Sequence, residues 1–225
     1  MITLILALAS ISDQSSTPPI DIHNWAINSY GPQITFDIKR NGKNIGSHEV
    51  TFEELGKKLL IEATTKIRVK FLFFNAFNFD YSSKEIWENG ELTSLQSITN
   101  DDGNKSSVVL EYGQSILNVT NNGTTFSNNI KGALFTTNHW NPNVRMSNTV
   151  LNTITGKTNT VEISAVGKER VPTANGDREA MHHQYSGDLK DISTWYDEKS
   201  RWVGLSFKGN DGSTISYECS RCGDK

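Results

Sequence analysis

WVGLSFKGNDGSTISYEC, residues 202–219, shows the fold class of this chain more clearly than any other segment. Before the Gly-Asn-Asp-Gly turn, Val203, Leu205 and Phe207 alternate with small or polar residues, and a similar alternation follows the turn. Side chains that alternate in this way belong to antiparallel strands with one dry face and one wet face. The stretch therefore predicts a β-hairpin in a β-rich protein.

Turn signals recur along the whole chain. Asn-Gly or Asp-Gly pairs begin at positions 41, 89, 102, 122, 175 and 211, and such pairs favour tight hairpins because both residues accept positive φ. Residues 59–71 alternate throughout, which is long for a strand and typical of one that bends around a barrel. The pattern predicts an all-β fold, a single antiparallel meander forming a barrel or half-barrel, with at most one short helix. We place that helix at residues 146–154, where an irregular crossing segment is the alternative.

Composition gives no reason to divide the 225 residues into two domains. The apolar run at residues 2–9 ends in Ala-Leu-Ala, which has the small-x-small form of a signal-peptidase site. We therefore interpret residues 1–9 as a signal peptide and residues 10–33 as a polar linker and N-terminal arm. Residues 34–219 are predicted to form a single β domain, followed by a C-terminal tail at 220–225. The expected location is the periplasm, after export.

Charge and hydropathy argue against two classes of partner. A formal net charge of -3 gives no electrostatic footprint of the kind that binds nucleic acid. Beyond residues 2–9, no apolar run approaches the roughly 20 residues that a membrane-spanning helix needs. We expect neither a nucleic-acid partner nor a membrane span.

Motifs for catalysis and metal binding are missing from the sequence. It has no Gly-x-Ser-x-Gly elbow, phosphate loop, dinucleotide fingerprint or His-Glu-x-x-His helix. His182 and His183 are adjacent, and adjacent side chains of a strand point to opposite faces, so the two cannot chelate one ion together. The sequence predicts no catalytic residue, no metal site and no cofactor.

Cys219 and Cys222 are the two cysteines, and they have the spacing of a redox motif. A thioredoxin-type pair requires a βαβ setting, and a zinc site requires a second pair of ligands, which this chain lacks. In an oxidising compartment a local disulfide is expected between them. Because its loop is so short, we expect the disulfide to be dispensable for folding.

Several short motifs together resemble a known family. They are NGKNIG (41–46), EIWENGEL (85–92), HWN (139–141), WYD (195–197), RWV (201–203) and DGSTISY (211–217). In this order they resemble a family of bacterial exported β-rich proteins that is known only as a domain of unknown function. The resemblance implies export and a single β domain, and it assigns no catalytic residues. The architecture is also similar, more loosely, to the open-barrel lipoprotein carriers of the periplasm.

Candidate ligand-binding residues follow from the strand faces and from the least regular stretch. Phe71, Leu205 and Phe207 belong to apolar faces that we expect to point inward. His139 and Trp140 lie where the strand pattern is weakest, and binding residues concentrate in such segments. We expect Trp140 at the rim of an opening, although a Trp in a loop is more often a cap over the core.

Three functions remain open on the sequence. The first is binding of a lipid or another hydrophobic or amphiphilic ligand in a concave apolar interior. The second is a structural or interaction role in the cell envelope with a filled core, and the third is an enzyme of unknown class. Inward apolar residues line a cavity and fill a core equally well. An empty apolar volume favours the first function, and a filled interior favours the second.

Overall fold

The computed structural model describes residues 19–71, 74–112, 117–122, 124–128 and 134–223. Over these residues it contains one α-helix, α1, one 3₁₀ turn, η1, and a sheet of 15 strands. The elements are α1 Ile22–Tyr30, β1 Gln33–Arg40, β2 Lys43–Leu55, β3 Lys58–Phe71, β4 Phe74–Glu88, β5 Glu91–Asp101, β6 Asn104–Tyr112, β7 Leu117–Asn121, β8 Thr124–Asn128, β9 Phe135–Thr136, η1 Pro142–Met146, β10 Thr149–Leu151, β11 Thr158–Val171, β12 Arg178–Gly187, β13 Ser193–Asp197, β14 Trp202–Lys208 and β15 Thr214–Arg221. The prediction of an all-β fold is confirmed.

Two meanders build the sheet from its centre outward. The first runs from β1 to the edge strand β8, and the second runs from the other edge strand, β9, back to β15. They join where β1 pairs antiparallel with β15. The pairing is antiparallel throughout, except that β9 and β10 are parallel. In the described part of the chain β8 and β9 do not pair, so the sheet is an open half-barrel.

Side chains connect the two halves of the open sheet across its interior. The Tyr81 hydroxyl on β4 is hydrogen bonded to Thr153 Oγ1 at 2.7 Å, just after β10. Tyr81 also donates to Asn138 Oδ1 at 3.1 Å. Ser97 on β5 donates to the backbone oxygen of the same Thr153. The segment from β9 to β11 therefore curls over the inner face of β4 and β5.

The helix lies earlier in the chain than the sequence pattern predicted. Asp21 caps α1 by accepting from the His23 N–H, and Gly31 ends it with a φ of 71°. Ile22, Ala26 and Tyr30 are its buried residues, and their spacing of four places them on one helical face. The interpretation of residues 10–33 as a polar arm is therefore wrong for the part that forms α1.

The helix predicted at residues 146–154 is also wrong. Met146 ends η1, and β10 occupies Thr149–Leu151. Short polar side chains in this segment bond to nearby backbone instead: Ser147 Oγ donates to the Thr149 oxygen at 2.6 Å, and Asn152 Oδ1 accepts from the Ile154 N–H at 3.0 Å. Such local bonds compete with helix formation.

The C-terminal residues belong to the fold more fully than a tail would. Strand β15 extends to Arg221, and a disulfide joins Cys219 to Cys222, both of which are buried. Arg201 Nη1 then donates to the Gly223 oxygen at 3.0 Å. The tail boundary at residue 220 is therefore wrong, because strand pairing and this bond hold the chain as far as residue 223.

Within the described residues, no helix has both the length and the apolar character needed to cross a membrane. Residues 1–9, interpreted as a signal peptide, lie outside the described residues.

Candidate functional site

The interior of the half-barrel has two regions, a packed end under α1 and an open cavity of about 690 Å³. The cavity lies between β1–β4 on one side and β14–β15 on the other, with the segment between β9 and β11 behind it. Its middle section, which we call the wall, is apolar. The wall consists of Ile45, Ile67, Val69, Phe77, Phe79, Leu205, Phe207 and Ile215.

Charged residues surround the outer opening of the cavity, which we call the rim. The rim contains Arg40, Asp101 and Asp211. Arg40 forms an ion pair with Asp211, and its Nε donates to Ser213 Oγ at 3.2 Å. Hydrogen bonds from the Ser213 side chain and backbone, and next the Arg40 guanidinium, lower the pKa of the Asp211 carboxyl to about 2. The rim cation is therefore already paired within the protein.

Uncharged polar groups form the deepest part of the cavity, which we call the floor. The floor consists of His48, Thr65, Tyr81, Asn138, His139 and Thr153, all of them buried. His48 Nδ1 and Thr65 Oγ1 are hydrogen bonded at 2.8 Å. The other ring nitrogen of His48, Nε2, is buried and has no hydrogen-bond partner among the described residues.

Both floor histidines are neutral at pH 7. Burial lowers the pKa of His48 to about 3, with a further small effect from nearby His139. Burial likewise lowers the pKa of His139 to about 4. The Trp202 ring lies against both imidazoles, with centroid separations of 5.6 Å to His48 and 5.8 Å to His139. The Trp202 ring helps to bury both imidazoles, and it is this loss of contact with water that disfavours the charged imidazolium.

Local backbone geometry presents His139 to the cavity. The residue has a φ of 58°, an uncommon value outside glycine, which turns the chain sharply before Trp140. Its backbone oxygen accepts from the Tyr196 hydroxyl at 2.8 Å, and Nδ1 is 3.3 Å from the Tyr185 hydroxyl. Two strands of the second meander, β12 and β13, therefore hold this turn in place.

The packed end is organised around a buried carboxyl group, Glu85. Its Oε2 accepts from the indole N–H groups of Trp87 at 2.8 Å and Trp140 at 3.1 Å, and its Oε1 accepts from Asn138 Nδ2 at 2.6 Å. Burial raises the pKa of Glu85, and these bonds oppose the rise. The side chain thus ties β4 to the segment that carries His139.

Helix α1 completes the packed end. The Tyr30 hydroxyl donates to the Trp140 oxygen at 2.9 Å and accepts from the Trp202 N–H at 2.8 Å. The Tyr30 ring stacks on Phe52, with centroids 4.9 Å apart and an interplanar angle of 14°. Through Tyr30 the helix therefore links β14, which carries Trp202, to the segment after β9, which carries Trp140.

The structure brings together three of the five predicted ligand-binding residues. His139, Leu205 and Phe207 all contribute to the cavity. Phe71 is the last residue of β3, and its side chain lies outside the described part of the structure. Trp140 is 0% exposed and does not line the cavity, so its predicted position at the rim is wrong. The bond to Glu85 and packing against Trp87 draw the indole into the core.

His48 and Glu85 are among the polar residues of the interior that sequence reasoning missed. Both follow the strand alternation. His48 is in phase with the buried Val50 and Phe52 on β2, and Glu85 is in phase with Trp87 on β4. The period of two therefore carried the signal that these polar side chains point inward. Among the described residues, no group of three or more His, Cys, Asp or Glu side chains could hold a metal ion.

Comparison with known proteins gives a family and a fold. No curated protein matches the chain. A solved structure from Brucella abortus, a β-barrel-like protein of domain of unknown function DUF1849, is similar with a TM-score of 0.59 at 9% sequence identity. The match covers 84% of this chain and 95% of that chain, and it supports the β-barrel-like architecture alone. The family described as domain of unknown function DUF6134 matches residues 36–220, and the chain belongs to this family.

Proposed function

We propose that this protein binds a hydrophobic or amphiphilic molecule in its cavity. The observation that carries the proposal is an apolar wall around about 690 Å³ of open interior. Ligand sites for small molecules typically enclose about 300–1,000 Å³ and combine apolar walls with a few polar groups. Each Å² of apolar ligand surface removed from water contributes about 25 cal/mol, so the wall can hold a hydrocarbon chain without a charged anchor.

The second candidate is a structural or interaction role in the cell envelope. The packed end favours it, because Trp140, Trp87 and α1 fill that region with side chains. The cavity end does not share this packing. A protein that acts through its outer surface does not require an open apolar interior. For this reason we place ligand binding first.

Export to the periplasm is part of the same proposal. It rests on the apolar run and the Ala-Leu-Ala sequence at residues 7–9. We expect the intact mass of native exported protein to lack residues 1–9. A mass that retains them, in protein recovered from the cytosol, would contradict export and leave the binding proposal to be tested separately.

Ligand binding can be tested on delipidated protein with N-phenyl-1-naphthylamine, an uncharged probe that fluoresces in apolar sites. We expect saturable binding in the micromolar range, which corresponds to about 8 kcal/mol. Phe207→Lys should weaken it at least ~10-fold, because a charge would enter the apolar wall. Ser206→Lys is the matched control, since neighbouring side chains on a strand face opposite sides.

Native mass spectrometry of freshly purified protein provides a second measurement. We expect a bound molecule that organic extraction removes. If no adduct is present, and delipidated protein binds no apolar probe, the binding proposal is wrong and the structural role takes its place.

A further inference from the structure

The charges of the cavity disfavour an anionic ligand. Arg40 is the cation among the described lining residues, and its guanidinium already pairs with Asp211 and bonds to Ser213. Asp101 and Asp211 add two carboxylates at the same rim. A carboxylate or phosphate head group that entered would lose water without meeting an unpaired cation, which is costly in an apolar site.

The floor offers hydrogen bonds without charge. His48 Nε2 has no partner among the described residues, and an unsatisfied buried polar atom in a native fold calls for a missing partner. Thr65 bonds to His48 Nδ1 and also to the Tyr217 hydroxyl, so its single proton fixes which tautomer His48 adopts. Nε2 is covered by neighbouring side chains, so a ligand reaches it only after these side chains shift. A hydroxyl group can both donate and accept, and after such a shift it satisfies Nε2 in either tautomer.

The polarity of the cavity changes in one direction with depth. Exposed charged residues stand at the rim, apolar side chains such as Ile67 and Phe207 occupy the middle, and buried neutral polar groups such as His48 and Asn138 lie deepest. A ligand that matches this order has a polar, uncharged leading end and a hydrocarbon body.

We propose that the ligand is an uncharged amphiphile with a terminal hydroxyl, such as a long-chain alcohol or a glycerol monoester. Its hydroxyl end lies on the floor beside His48 and His139, and its hydrocarbon chain lies along the wall toward the rim. The proposal rests on the proposed ligand-binding function and adds the chemical class and the orientation of the ligand.

Competition among three probes of equal chain length tests the ligand class. Dodecanol, dodecanoate and dodecyltrimethylammonium each compete with N-phenyl-1-naphthylamine for delipidated protein at pH 7.5. We expect dodecanol to displace the probe at a concentration at least ~10-fold lower than either charged competitor, because a charged head group is more costly to desolvate. Equal or better competition by dodecanoate overturns the proposal and leaves ligand binding intact. If the fluorescent probe itself does not bind, ligand binding fails and this proposal fails with it.

Dodecanol is also more apolar than dodecanoate, and general hydrophobicity alone favours its binding. Two variants therefore test the hydrogen bond at the floor and the charge pairing at the rim separately from hydrophobicity. His48→Phe removes the unpartnered nitrogen and keeps a ring among the neighbouring aromatic side chains. It should weaken dodecanol binding at least ~5-fold, the scale of one net hydrogen bond, and should weaken binding of the fluorescent probe, which has no hydroxyl group, by a smaller factor. His182→Phe, outside the cavity, is the matched control. If His48→Phe does not fold, Thr65→Val tests the contact indirectly, because it deletes the hydroxyl that bonds to Nδ1 and orients the His48 ring. If dodecanol binding is unchanged, as expected when water alone occupies the floor, the proposed orientation of the ligand is wrong.

The second variant tests the role of the rim. Asp211→Asn leaves Arg40 without its carboxylate partner but keeps the side-chain oxygen that accepts from the Ser213 N–H. Dodecanoate, with its carboxylate at the rim, should then bind about 3-fold more tightly, which is in the range of an exposed ion pair. The affinity for dodecanol should not change. No gain for dodecanoate would mean that pairing of Arg40 does not exclude anions, and the charge argument for an uncharged ligand would be wrong.

Discussion

The packed end and the cavity end of the half-barrel are built from the same strands, yet their buried polar groups differ in how completely they are hydrogen bonded. At the packed end Glu85 accepts three hydrogen bonds from Trp87, Trp140 and Asn138. At the cavity end His48 has one bonded nitrogen and one without a partner among the described residues. Segments outside the strands, α1 and the turn at His139, therefore decide which part of the interior is filled.

The largest effect should come from emptying the packed end. Trp140→Ala should lower the free energy of unfolding by about 3–5 kcal/mol, because it leaves a void in a filled region and removes an indole donor from Glu85. Phe207→Ala is the matched change at the cavity end, and we expect it to cost only about 1 kcal/mol because its ring already borders open volume. Urea unfolding measures both. Equal losses would show that the two ends are packed alike.

The hydrogen bonds of Glu85 can be tested without changing its size. Both carboxyl oxygens accept from donors, and Glu85→Gln would place an amide donor against an indole or amide N–H. We expect a loss of about 1–3 kcal/mol in the free energy of unfolding. Glu88→Gln, near the end of the same strand and facing more solvent, is the control and should be nearly neutral. If Glu85→Gln were equally neutral, the packed end would not depend on these bonds.

The floor histidines predict a loss of stability in acid. The folded-state pKa values of His48 and His139, about 3 and about 4, lie below the unfolded value near 6.5. The unfolded state therefore binds more protons below pH 6.5, and stability present above that pH is lost as the pH falls toward the folded values. Each histidine should lower the unfolding free energy by about 1.4 kcal/mol per pH unit within this window.

Other groups titrate too, so the comparison of wild type with His48→Phe isolates one imidazole. The contribution of Glu85 to the pH dependence of stability has the opposite sign. Because its pKa is raised in the folded state, uptake of its proton in acid favours the folded state. Urea unfolding between pH 5 and 7.5 should give a smaller slope against pH for His48→Phe. Parallel slopes would mean that His48 is not a neutral buried group.

The smallest effect is expected at the disulfide. Replacing Cys219 and Cys222 by Ala together should lower the free energy of unfolding by about 1–2 kcal/mol, because a four-residue loop restricts the unfolded chain little. Most of the loss should come from packing, since both residues are buried against the core. Reduction of the wild-type protein by dithiothreitol, which keeps both sulfur atoms, should therefore cost less than the double substitution. The opposite order would assign the stability to the cross-link.

Much of the fold follows from local sequence, and the misses have specific physical causes. Asn41, Asn89 and Asp102 all adopt positive φ in hairpin turns, as their pairing with glycine predicts. Helix α1 was missed because its apolar stripe of Ile22, Ala26 and Tyr30 is short and lies in a polar context. Trp140 was misplaced because its partner, Glu85, is 55 positions away in the sequence.

Most of the strands, their turns and the inward side chains of the long strands follow from the amino-acid sequence, because alternation and turn chemistry act between near neighbours. The inward face that carries Leu205 and Phe207 is one example. The pairing of β1 with β15, the burial of Trp140 in the core and the meeting of His48 and His139 at a cavity floor follow from the three-dimensional fold alone. Those outcomes depend on contacts between segments far apart in the chain, and an inward apolar side chain looks the same in sequence whether it meets a neighbour or an open volume.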